Sequence, residues 1–298
     1  VILVSTIMNI PQKTLSLLAV ASLSFFSSLS AVETDPVGYT TISGNAGGYV
    51  VTLPLVNSPV FEGAVNAEGT TVLSFDSAVP TLTGANYVQV MSGTLVGTIA
   101  DIASSDSSSV TLSTSLAVAS GDVVSIREHT TIEDLGTTFT GGTSVTVYNS
   151  DGTTNSATYV SNFLGSFWGG DFTTPIYPGE GVVIISTGPF EIVNAGAVAV
   201  DPVSFSAASG RVNIIGANSP SSADANAIFG SLAPGTSVSV YTNGGNLTSP
   251  TVYSRGPAFL GGTWSPDLST LTTFGDDIAV VVIPTADAAV NLPATAVN

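Results

Sequence analysis

The chain contains no cysteine, only four lysines and arginines, and a single histidine among its 298 residues. Without thiols it has no disulfides, no sulfur-ligated zinc or iron and no cysteine nucleophile. An exported form must then be held by its core, by metals or by neighbours. Lys13, Arg127, Arg211 and Arg255 stand against 21 acidic residues, giving a formal net charge of -17. That balance repels phosphate backbones and offers no basic stripe, which argues against nucleic acid as a partner and against simple attraction to an anionic membrane surface. Glycine is abundant, yet no GxGxxG or GxxxxGK[ST] motif is present, so the glycines read as turn makers with no nucleotide cradle. There is no GxSxG elbow either. Charged residues make up 8% of the chain against 44% hydrophobic, so much of the surface must be neutral Ser, Thr, Asn and Gly around a substantial core.

What is present begins with a leader-like segment. From Met8 the chain reads MNIPQKTLSLLAVASLSFFSSLSA, with Lys13 ahead of an apolar stretch and small residues at Ser28, Ser30 and Ala31. This is the pattern of a signal peptide over residues 1–31, cut after Ser30 or Ala31. A first β-strand or a buried helix is the alternative reading of the same residues. No later segment has 18 uninterrupted apolar residues, so no membrane span is expected in the mature chain.

Beyond the leader, short runs rich in Val, Thr, Ile and Tyr alternate with Gly, Pro, Asn, Ser and Asp, the pattern of strands joined by turns. In SVTLST, alternation places Val110 and Leu112 on one face and Thr111 and Ser113 on the other. Helices are expected to be few and short, the best candidates being Ser221 to Gly235 and a turn within TTIEDLGTTF. The fold class is therefore all-β, two related sandwich or barrel-like domains of antiparallel strands. An N-terminal β domain is expected over 32–125 and a C-terminal β region over 126–298. The break lies between Ile126 and Gly142 or near Gly196 to Pro202.

The C-terminal region repeats itself. GTSVTVY at Gly142 to Tyr148 returns 93 residues later as GTSVSVY at Gly235 to Tyr241. Each copy continues with an Asn/Asp/Gly turn (NSDG, TNGG), a Tyr-bearing strand, a Trp-centred segment (NFLGSFWGGDF, PAFLGGTWSPDL), a loop and a strongly apolar strand (VVIIS, IAVVVIP). Asn, Asp and Gly tolerate the positive φ of tight hairpins, which explains the turns. A hairpin alone is marginal, so each apolar strand is expected to join it as an interior strand. A weaker echo links TLPLVNSP (Thr52 to Pro59) with NIIGANSP (Asn213 to Pro220). Two copies are too few for a solenoid, and duplicated architecture is the better reading.

Several stretches carry a family likeness: DPVGYTTIS at Asp35 to Ser43, VTLPLVNSPVFEG at Val51 to Gly63, SGTLVG at Ser92 to Gly97, SGDVVSIREHTTIEDLG at Ser120 to Gly136, and YPGEGVVII at Tyr177 to Ile185. Together they resemble a secreted paralogous family of Verrucomicrobia whose function is unsettled. The resemblance implies export and a β-rich fold and supplies no catalytic residue. The later unit departs from it, its glycine turn reading FGDDIAV.

Candidate chemistry is sparse. His129 lies in REHTTIED with Glu128, Glu133 and Asp134 close in sequence, a set suited to metal binding or base catalysis. A surface or loop histidine is the plainer expectation, and His129 is not expected to meet two acids in a pocket. Glu133 with Asp134, and Asp276 with Asp277, are weak calcium candidates, lacking an EF-hand loop and pointing to opposite faces of any strand. Asp171 and Asp201 add no ligand spacing. Calcium is the one cofactor considered; none is otherwise expected. Trp168 and Trp264, near Tyr159 and Tyr253, suit stacking on sugar rings if exposed, or plugging a sheet end if buried. Asn246-Leu247-Thr248 matches a glycosylation sequon and also reads as the end of a turn.

These features point to a secreted or outer-cell-surface structural or interaction protein, not an enzyme, that self-associates or binds other surface proteins in an extracellular oligomer or filament. A carbohydrate-binding module for a neutral glycan is the alternative, and an acidic-residue glycoside hydrolase the third reading.

Overall fold

The computed structural model describes residues 37–149, 151–199, 202–217, 223–248, 250–271, 274–275 and 278–293. The expected leader, Asp201, Asp276, Asp277 and the NSP half of the later echo lie outside them. The described part is a mostly antiparallel β architecture with few short helices and several separate sheets.

One sheet of six strands runs in the order Phe61–Ala64, Val123–Glu128, Asn86–Val90, Ile99–Ser105, Ser109–Leu112, Val72–Ser74. It curls into a half-barrel until its outer strands meet at a Val65–Phe75 bridge, where Asn66 N–H donates to Ser74 O at 2.9 Å. A register shift between Ile102 and Ser104 marks an irregularity in the curl. The expected alternation holds at Val110 and Leu112, which join Val88, Val124 and Ile126 in the inner core.

The repeated segments build the other sheets. In the first copy the order is Gly165–Gly170, Thr154–Asn162, Ser144–Tyr148, Gly181–Ser186, Gly47–Thr52. In the second it is Trp264–Ser265, Thr251–Arg255, Ser237–Thr242, Ile278–Ile283, Asn213–Gly216. The strand order is the same, hairpin first and apolar strand inside, so the sequence echo is a repeated building unit. Smaller sheets cover each: Val37–Gly44, Phe190–Val198 and Leu55–Val56 on the first, Val203–Ala207 with Ala288–Leu292 on the second. Residues 37–56, within the segment 32–125, thus lie in sheets with 181–198. Helix content in the expected Ser221 to Gly235 stretch is Ala225–Phe229, capped by the Asp224 carboxylate accepting from Asn226 N–H. TTIEDLGTTF supplies one 3-10 turn, Glu133–Leu135.

The apolar strand is interior for a physical reason. Val182 and Ile184 enter the first unit's core, while Val183 turns to the opposite face and packs with Val50, Ile214 and Ala279 where the two five-stranded sheets lie against each other. A strand covered on both faces has little room for polar residues, hence VVI at Val182–Ile184, whereas Ile185 is half-exposed. The seam also uses backbone and amide groups: Gly216 N–H donates to Gly179 O at 3.0 Å, and Asn243 accepts from Thr52 N–H at 2.9 Å while donating to Thr52 O at 3.0 Å. A Cβ at Gly216 would overlap the Thr52 side chain. Gly216→Ala is therefore expected to cost about 1–3 kcal/mol in urea denaturation, with an unchanged result meaning that the seam is looser than this packing.

Candidate functional site

The chemistry gathers on the outer face of the half-barrel. In the strand Val123–Glu128, Val124 and Ile126 face the inner core, so Ser125 and Arg127 take the other side, and both are buried there. Register places Tyr87 opposite Arg127 on one side and opposite Asp101 on the other, forming a row Asp101, Tyr87, Arg127 across three strands. Arg127 is enclosed by the segment after the Gly47–Thr52 strand, donating to Asn57 O at 2.8 Å. Burial pushes the Tyr87 hydroxyl well above the usual tyrosine range, with Arg127 pulling weakly the other way.

His129 follows this strand, in the link to Thr130–Thr131. It is the loop residue expected but not a surface one: it is 2% exposed, because its ring is wedged between Tyr87 at 4.6 Å and Tyr177 at 4.7 Å. Its Nε2 lies 3.0 Å from Asp101 Oδ1, and Tyr177 OH donates to Asp101 Oδ2 at 2.6 Å. Burial raises the Asp101 carboxyl, but the hydrogen bonds from His129 and Tyr177 outweigh it and hold Asp101 below the ordinary carboxylate range. Burial and the bond to Asp101 push Tyr177 up. The Nδ1 atom of His129 is buried without a hydrogen-bond partner among the described residues.

Tyr177 opens the turn Tyr-Pro-Gly-Glu, which folds back on itself: Glu180 N–H donates to Tyr177 O at 2.9 Å, and Tyr177 N–H donates to Glu180 Oε2 at 3.1 Å. The Glu180 side chain is 4% exposed, and burial lifts its carboxyl to about 8 despite the bond from Tyr177. Glu180, Tyr177 and Asp101 share the wall of a cavity of about 410 Å³ at the meeting of the half-barrel with both repeated units. Asp151, Phe205 and Ser206 line it as well. A second cavity of about 310 Å³ is lined by His129, Glu128 and Asp134. The expectation that His129 would not meet two acids in a pocket is thus corrected. Curling the sheet buries the face that carries alternate residues of SIREH, and the 3-10 turn brings Asp134 alongside.

No family model, curated protein or solved structure matches the chain. The site is therefore read from its own geometry.

Apart from His129 and Asp134, the residues proposed from the sequence fall elsewhere. Trp168 is 7% exposed, pairs across strands with Tyr159, packs on Phe139 at 5.1 Å and donates from Nε1 to Gly136 O at 3.1 Å. Tyr159 is buried too, its hydroxyl donating to Thr137 O. Tyr253 is buried in the second core and Trp264 is half-buried against it, opposite Arg255. Glu133 is exposed at the start of its 3-10 turn, and Asp134 Oδ2 is taken by Thr131 N–H and Oγ1, both at 2.7 Å. Asp171 sits 3.5 Å from the Asn155 amide. Among the described residues no group of three or more histidines and acids could hold a metal ion. Asn246 forms a bridge with Tyr49 and accepts from Thr248 N–H, a turn-closing role. Asp101, Tyr177, Glu180, Tyr87 and Arg127 were not singled out. The alternation of SIREH, which puts Ser125, Arg127 and His129 on one face, was the available signal.

Proposed function

We propose that the chain is a secreted or cell-surface structural and interaction protein, built on two related sandwich-like units, that associates with copies of itself through a sheet edge. The observation that carries this reading is the strand Val37–Gly44. Among the described residues it pairs on one side only, with Phe190–Val198. It holds no charge and no proline, and Val37 and Tyr39 are each 76% exposed. Natural edges are usually blunted by lysine, proline or a bulge, and this one has none of these, leaving its backbone groups open to another strand. Exposed Val193 extends the apolar strip on the neighbouring strand. A repeated feature supports the same reading. Phe163 in FLG and Phe259 in the later FLG are 94% and 84% exposed, so each unit offers an aromatic at the tip before its tryptophan.

Light scattering and negative-stain imaging of the mature protein are expected to show ordered oligomers. Tyr39→Lys with Thr41→Lys is expected to convert them to monomer with the thermal midpoint little changed, because both positions face solvent. A monodisperse wild-type monomer across salt and calcium concentrations would overturn the reading. A glycan surface made of Trp168, Tyr159 and Tyr253 has less support, since these rings present no open face to solvent.

A further inference from the structure

The cavity shared by Asp101, Tyr177 and Glu180 stands apart from the edge strand and from the tryptophans. Its volume of about 410 Å³ falls in the range of roughly 300–1,000 Å³ typical of small-ligand sites. Two sheets and a turn contribute its wall: Ile99 and Asp101 from the half-barrel, Tyr177 and Glu180 from the turn that leads into the first unit's apolar strand, and Ser204 and Ser206 from the sheet covering the second unit. Junctions between sheets or domains are where small-molecule pockets concentrate.

The wall chemistry selects a ligand class. Among the described residues no lysine, arginine or histidine lines the cavity, while three acids do, so a phosphate or carboxylate ligand would meet repulsion from its wall. A simple cation is also poorly served, because the charged carboxylates are already engaged. Both oxygens of Asp101 are bonded, to His129 and to Tyr177. Asp151 Oδ1 accepts from Thr153 N–H and Oγ1, which hold its carboxyl below the ordinary range, and Arg211 nearby lowers it further. Glu180, the most enclosed of the three, carries a proton at neutral pH and can donate from it. The hydroxyls of Thr114 and Ser206 both donate and accept, and Ser204 Oγ and Asn149 Oδ1 add acceptors, the Ser204 hydroxyl already donating to Asn291 and the Asn149 amide to Thr153 and Asn155, beside the apolar surfaces of Ile99 and Pro178. Mixed donors and acceptors next to apolar rings match a molecule with many hydroxyls on a carbon ring.

We propose that this cavity is a binding site for a neutral polyhydroxylated ligand, a sugar or cyclic polyol, held by Glu180 and the Ser204 and Ser206 hydroxyls against Ile99 and Tyr177. The site is independent of self-association through the Val37–Gly44 edge. Ser206 lies on the exposed face of its strand, so Ser206→Trp can fill the cavity without entering the core.

The test is calorimetric or NMR titration of the full mature chain with glucose, galactose, mannose, N-acetylglucosamine, their disaccharides and myo-inositol, with putrescine as a cationic probe. At least one neutral probe is expected to bind with a dissociation constant below about 10 mM, and Ser206→Trp is expected to weaken it at least ~10-fold while the thermal midpoint holds. Failure of every neutral probe at that level overturns the proposal, as does binding that Ser206→Trp leaves intact. Putrescine binding that outcompetes the sugars and tightens as pH rises through about 8, where Glu180 ionises, would assign the cavity to amines instead.

Discussion

Trp168→Ala is expected to lower the stability of the protein by about 3–5 kcal/mol, the range for truncating a large buried aromatic. The indole is enclosed by Phe139 and Tyr159, each with ring centroids 5.1 Å away. Phe139 in turn stacks on Phe190 at 5.7 Å, which meets Tyr49 edge-on at 5.1 Å. Removing Trp168 therefore opens a cavity at one end of an aromatic file that ties the five-stranded sheet to the sheet covering it. It also strips the Gly136 carbonyl of its indole donor, so Trp168→Phe should recover most but not all of the loss, leaving about 1 kcal/mol. Trp264→Ala is expected to cost less, about 1–2 kcal/mol, because that ring is half-buried and lies opposite Arg255 with no aromatic partner in register. Urea denaturation followed by tryptophan fluorescence checks all three. A Trp168→Ala protein within about 1 kcal/mol of wild type would mean that the ring is dispensable to the scaffold.

The two tryptophans show what the sequence could and could not say. Equivalent places in a repeated unit were visible from SFWGG and GGTWS, and so was the choice between sugar stacking and plugging a sheet end. The outcome depended on Phe139 and Gly136, which arrive from a loop some thirty residues earlier and carry no mark of their destination. The same contrast runs through the fold. Val145 and Val147 alternate into the core as their sequence pattern requires, because alternation is local and the period of a strand is two. The neighbour that covers them is another matter. Gly181–Ser186 pairs with Gly47–Thr52, more than a hundred residues away, and nothing in either strand names the other. The triangle of Asp101, His129 and Tyr177 fails to show in the sequence for that reason. It joins residues 28 and 76 positions apart. The isolated histidine looked like a surface residue because its acidic sequence neighbours, Glu128, Glu133 and Asp134, are not the ones that bond it.

Glu180 gives the other large expected effect, and its sign is opposite to that of most carboxylates. Its folded value of about 8 lies above the ordinary 4.5. Between these two pH values the folded protein therefore keeps a proton that the unfolded chain has released, and stability must fall as pH rises across that window. At about 1.4 kcal/mol per unit, the full loss is on the order of 3–5 kcal/mol, complete above pH 8 and absent below pH 4.5. Asp101 acts the other way: its carboxyl is held below its ordinary value, so its contribution is present above the normal carboxyl range and is lost as pH falls beneath it. Self-repulsion at a net charge of -17 also weakens the fold as acids ionise, so a declining curve alone would not single out Glu180. Glu180→Gln separates the two, because it keeps the shape and the hydrogen-bond acceptor for Tyr177 N–H while removing the titration. Wild type and variant are expected to have equal stability near pH 4.5 and to diverge steadily above it, with the variant the more stable at pH 8.5. Parallel urea-denaturation curves for the two proteins across that range would mean that the folded chain carries Glu180 ionised throughout, and that the cavity is wetter than its enclosed wall indicates.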